Sequence, residues 1–128
     1  MPTAVTEEIR VSVVTDYQPD FSNPERGEYF FAYHVQIVNQ SDYTVQLLRR
    51  HWHIYDSNGE YREVEGEGVV GLQPTLASGD NYAYSSGCNL HTDMGKMSGT
   101  YEFVRHADGK LFTVTIPEFK MVLPHRLN

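Results

Sequence analysis

Gly66-Glu67-Gly68-Val69-Val70-Gly71-Leu72-Gln73-Pro74 is the stretch on which the fold turns. Its first six residues spell GxGxxG, the pattern of a dinucleotide-binding turn, and such a turn must open a helix whose first amides hold the pyrophosphate. Pro74 pushes Gln73 out of the helical region. With no helix able to start there, no dipole points at a phosphate, and the glycines are expected to serve backbone shape.

The sequence on either side reads as strands and turns. Ile9, Val11 and Val13 share one face of a first strand, and the segment from Gln18 to Gly27, with Pro19 and Pro24, reads as an irregular loop. The odd positions Tyr29, Phe31, Tyr33, Val35 and Ile37 form a long second strand that stops at the turn Asn39-Gln40-Ser41-Asp42. In the third run Val45 and Leu47 keep odd phase, but Leu48, Trp52 and Ile54 are even. A period of two cannot change phase without an extra residue, so a bulge or break is predicted near Leu48, a device by which a strand can change sheets.

Ser57-Asn58-Gly59 suits a three-residue hairpin loop, which sets Asp56 opposite Glu60 and Trp52 opposite Val64. Pro74 and Ser78-Gly79-Asp80 punctuate a short connection, Tyr82 to Ser86 resumes strand character, and Leu90 to Lys96 reads as a loop. Asp108-Gly109 is the signal for a two-residue type I′ turn, pairing Phe103 with Val114 and Tyr101 with Ile116. Pro117 is expected to end or edge that strand, with Phe119, Met121 and Leu123 continuing the alternation in a tail. The fold class is therefore all-β: a single domain over residues 1–128, an immunoglobulin-like or fibronectin type III-like sandwich of two antiparallel sheets with seven to eight strands. A closed barrel is the structural rival.

Composition narrows the function classes. The formal net charge of -7 disfavours nonspecific attraction to nucleic acid or anionic lipid. No stretch approaches the roughly 20 apolar residues that span a bilayer. The single cysteine, Cys88, cannot close an internal disulfide, and the start Met1-Pro2-Thr3-Ala4-Val5 lacks a signal-peptide pattern, so a cytoplasmic location is expected.

Four groups of residues invite chemistry. Successive amides in the glycine loop could cradle an anion, although Glu67 would repel it. Alternatively, Val69 and Val70 offer an apolar tip to a protein partner, unless they fold back onto the sandwich. His51 and His53 flank an inward Trp52 and face Glu65 and Glu63 in the register above, so two imidazoles and two carboxylates share one strand pair; a wet cross-strand pairing explains the same residues, and no metal is assigned. Cys88 and His91 suggest a thiol nucleophile or half of a zinc site, but no second cysteine completes a zinc knuckle and neither an orienting carboxylate nor an oxyanion hole is identified. His34, His106 and His125 are scattered, and no catalytic set and no cofactor is expected.

Taken together, Leu47-Leu48 with Arg50 and Trp52, Glu65-Gly66-Glu67-Gly68-Val69-Val70-Gly71 with Gln73-Pro74, Tyr82, Tyr84, Ser86-Gly87, Gly95, Met97, Gly99, Tyr101, Ile116-Pro117 and Phe119 resemble the ApaG family. That family includes bacterial proteins and a domain found in eukaryotic F-box proteins and a DNA polymerase delta-interacting protein. The resemblance implies a fibronectin type III-like sandwich, an association with cobalt resistance and magnesium efflux, and a non-enzymatic module for contacts with a protein partner. It implies no catalytic residues. Ser78, where the family usually has proline, and Arg49, where a smaller residue is expected, depart from the pattern. His51 and His53 stand where relatives often carry nonligating residues. The interaction surface is accordingly expected at Gly66, Glu67, Gly68, Val69, Val70 and Gly71.

Overall fold

The structure is a computed structural model that describes residues 1–124; His125 lies outside the described residues. Two antiparallel sheets face each other as a β-sandwich. One contains, in spatial order, β1 (Thr3–Thr6), β2 (Ile9–Tyr17), β3 (Tyr29–Asn39) and β7 (Asn81–Leu90). In the other, β5 (Tyr61–Glu67), β4 (Val45–Asp56), β8 (Met94–Arg105) and β9 (Leu111–Val122) lie side by side, and the two-residue β6 (Thr75–Leu76) pairs with the start of β4. Nine strands among the described residues exceed the expected seven to eight because β1 and β6 are too short to show an alternating pattern.

From Phe31 onward the odd residues of β3, with the Ile9-Val11-Val13 face of β2, are buried as their alternation predicts, while Tyr29 at the strand's start is half-buried. Against them the second sheet sets Trp52, which is 2% exposed. Its ring lies 5.3 Å from Tyr33 and 5.8 Å from Phe119, both edge-on, so it fixes the two layers against each other. Burying an indole of about 200 Å² contributes roughly 5 kcal/mol as an upper bound. Asn39, also fully buried, donates to the carbonyls of Tyr43 and Leu76 and accepts from Ser41, so the expected turn is closed by the side chain that begins it.

The phase change at Leu48 is a bulge: the β4–β8 register shifts between Leu47 and Arg49. It does not carry the strand into another sheet, because β4 stays paired to β8 on both sides of it. What changes there is the opposite neighbour, from β5 to β6. The Ser57-Asn58-Gly59 loop forms as expected, with Trp52 opposite Val64 and the Asp56 amide donating to the Glu60 carbonyl at 2.9 Å.

Three expectations are corrected. β7 runs on to Leu90 and β8 starts at Met94, so the predicted loop from Leu90 to Lys96 shrinks to residues 91–93. The last hairpin pairs Tyr101 with Val114 and Phe103 with Phe112, two residues from the predicted register. Only Gly109 of the turn pair is left-handed; Asp108 instead accepts from the Arg105 guanidinium and the Lys110 amide, and residues 106–109 form a four-residue loop. Finally, β9 passes through Pro117, because a second register shift at Met97/Gly99 absorbs the proline on this edge strand. Phe119 and Met121 are therefore buried strand residues.

Candidate functional site

The glycine stretch is an excursion in the strand that accompanies β4. From Arg49 back to Gln46 β4 moves three positions while its neighbour moves eight, from Glu67 to Thr75. The surplus chain leaves the sheet and reverses through Val70-Gly71, both with positive φ (47° and 77°), between reciprocal bonds from Val69 N to Leu72 O (2.8 Å) and Leu72 N to Val69 O (3.0 Å). That is a two-residue turn of the I′ kind, and no helix follows.

Three anchors hold its base. The bulged Leu48 turns its carbonyl outward, where it accepts from Gly68 N at 2.8 Å and Gln73 Nε2 at 3.0 Å. Arg50 reaches across to donate from one guanidinium nitrogen to the carbonyls of Glu67 (2.9 Å) and Gly68 (3.1 Å). Gly68 is required at φ +66°, since a Cβ there would stand 2.3 Å from the Leu72 carbonyl oxygen. The amides of Gly68 and Val69 are thus bonded to protein carbonyls, which leaves neither to face an anion.

The two valines separate. Val69 is fully buried and belongs to the core, whereas Val70 is 62% exposed and Leu72 58%. The apolar tip is Val70 with Leu72, not Val69 with Val70, because a tight turn points consecutive side chains in opposite directions. Sequence reasoning missed Leu72, and it missed the Arg50 clamp. The signal for the clamp was an arginine in the inward phase beside Trp52, where its charge must find acceptors.

On the outer face of β4 the predicted register brings His51 opposite Glu65 and His53 opposite Glu63. His51 Nε2 lies 2.8 Å from Glu63 Oε1, and its Nδ1 lies 3.3 Å from Glu65. His53 Nδ1 lies 3.5 Å from the same Glu63 oxygen and 2.6 Å from the Tyr61 hydroxyl. The hydrogen bond from His51 is the main reason Glu63 titrates below the usual carboxylate range. All four predicted residues therefore meet on one solvent-facing patch.

Residues 19–105 match the model of the ApaG domain. The chain belongs to the ApaG family. It is 48% identical over 128 residues to Protein ApaG of Anaeromyxobacter dehalogenans (strain 2CP-C), which covers all of both chains. To Protein ApaG of Beijerinckia indica subsp. indica it is 44% identical over 124 residues, 97% of this chain and 95% of that one. The crystal structure of the ApaA protein from Bordetella pertussis superposes with a TM-score of 0.88 at 42% identity, covering 96% of each chain.

Elsewhere in this ApaG-family domain the other candidate side chains among the described residues have protein partners. Cys88 is buried, accepts from an Arg62 nitrogen at 3.4 Å, and has its pKa pushed up by burial to about 11. His91 turns to Glu60 (2.8 Å) and is not placed to draw the thiol proton. His34 sits between Ser85 (2.6 Å) and Asp16 (3.0 Å), a line of groups with the identities of a hydrolase triad. Histidine and aspartate there are about half exposed on an open sheet face, where such bonds serve strand register. His106 meets Gln46. No helix among the described residues is long and apolar enough to cross a membrane.

Proposed function

We propose that this ApaG-family domain is a non-enzymatic protein-interaction module of the cytoplasm, which engages its partner through the Gly66–Gly71 loop and bears on cobalt or magnesium handling through that partner. One observation carries the reading. A β-branched residue, Val70, is held at φ +47° with its side chain in solvent, at the tip of a loop anchored by Leu48, Arg50 and Gln73. Strain of this kind costs about 1–3 kcal/mol and persists where the surroundings enforce it, commonly at functional sites. An apolar pair on a rigid mount also loses little entropy on docking.

The test compares wild-type and Val70→Asp baits in quantitative pull-downs from source lysate. Val69 is left intact because it is core. Recovery of the specific partner should fall at least tenfold while the melting temperature stays within a few degrees. Equal recovery by both baits would reject the loop as the contact.

A further inference from the structure

We propose that His51, His53 and Glu63 form a binding site for a divalent transition-metal ion of the zinc type, with Glu65 as the carboxylate that orients His51. The site lies on the outer face of the β4–β5 pair, apart from the glycine-loop tip, and does not depend on the interaction reading.

The ligand atoms are spaced for such an ion. A tetrahedral centre with bonds of about 2.1 Å holds neighbouring ligand atoms roughly 3.4 Å apart. Glu63 Oε1 stands 2.8 Å from His51 Nε2 and 3.5 Å from His53 Nδ1, and the three ligand atoms lie within 4.8 Å of one another. The imidazoles are side by side, with centroids 4.5 Å apart and planes tilted by 33°, because residues two apart on a strand project the same way. Two ring nitrogens converging on one carboxylate oxygen outline the position an ion occupies.

The second nitrogen of His51 strengthens the case. With Nε2 on the metal, Nδ1 must carry the proton, and the Glu65 carboxylate, an ion-pair neighbour at 3.3 Å, needs only a small side-chain adjustment to accept it. That is the carboxylate–histidine–metal relay by which proteins fix the tautomer and orientation of a ligand. Tyr61, now 2.6 Å from His53 Nδ1, yields that nitrogen and is left beside the open coordination position. Imidazole donors select zinc, nickel or copper over magnesium, which prefers an all-oxygen shell.

A second cluster, Asp56, Glu60 and His91, also brings three donor groups together. Its aspartate already accepts from the Ser57 and His91 amides and the Thr92 hydroxyl, which accounts for its burial as the brace of two loops. It serves as the internal control.

Calorimetric titration of the full chain with zinc chloride at neutral pH should give one equivalent of binding, with nickel following and magnesium giving none. His51→Gln, His53→Gln and Glu63→Gln should each weaken zinc at least tenfold. Glu65→Gln should weaken it about tenfold, and His91→Gln should leave it unchanged. Histidine-ring NMR of the wild type should show zinc shifting His51 and His53 first, a readout that needs no variant to fold. Absence of site-specific heat at millimolar zinc, binding unaltered in His53→Gln, equal affinity for magnesium, or ring shifts at His91 instead would each overturn the assignment.

Discussion

Replacing Val70 by glycine should make the protein more stable while weakening its attachment to its partner. Val70 sits at φ +47°, where the crowding of Cβ against the following carbonyl costs a non-glycine residue about 1–2 kcal/mol, and a β-branched one no less. Because its side chain is 62% exposed, deleting it opens no cavity. Glycine gives back about 0.5–1 kcal/mol through its looser unfolded chain. The balance of the midpoints is a gain of about 0.8 kcal/mol, or about 3 °C in melting temperature for a domain of this size. Urea unfolding should show the midpoint rising with an unchanged slope, which assigns the effect to stability alone. Val70→Ala, which keeps the positive φ, should gain less. A Val70→Gly protein no more stable than wild type would refute the claim that strain is stored at this turn.

Three further outcomes follow from the same geometry. Gly68→Ala drives a Cβ to 2.3 Å from a backbone carbonyl at a left-handed position, so it should cost about 3 kcal/mol or more in urea unfolding; a loss below about 1 kcal/mol would mean the loop is not packed as described. Cys88, buried and with its pKa pushed to about 11, should react with a thiol-specific disulfide reagent roughly a hundredfold or more slowly in the native protein than in denaturant, and rapid native labelling would contradict its placement. Arg105 lowers Asp108 to a pKa of about 2, so the contribution is present above the unfolded value of about 3.9 and is lost as pH falls toward 2. Asp108→Asn should remove that contribution, lowering stability by a constant amount near neutrality and flattening the curve in the acid window so that the two proteins converge toward pH 2, and identical curves would dismiss the pair.

How much was legible in the sequence depended on whether each feature altered the pattern of apolar residues. The bulge at Leu48 was legible because it moves Trp52 and Ile54 into even phase. The same signal stood in β9, where buried Val114 and Ile116 are even and buried Phe119 and Met121 are odd, but Pro117 made a strand end the simpler reading. The hairpin at Asp108-Gly109 was misregistered by two residues, a slip that leaves every side chain on its own face and so is invisible to hydrophobic pattern. β1 and β6 were missed since they are short and carry little apolar alternation.

For the site, the pairing of His51 with Glu65 and His53 with Glu63 followed from a three-residue loop chosen over a two-residue one because it sets Trp52 opposite Val64 and not Glu65. The split between buried Val69 and exposed Val70 did not, because it depends on the type of turn. Nor did the anchoring of the loop by the Leu48 carbonyl, since a backbone group left unpaired by a bulge has no side-chain signature.

The measurement that bears most directly on the interaction reading is site-specific photocrosslinking in source cells from position 70, with position 111 as an equally exposed apolar control on another edge. A discrete protein adduct from position 70, absent from position 111, is the expected result. Adducts from position 111 with none from position 70 would contradict it.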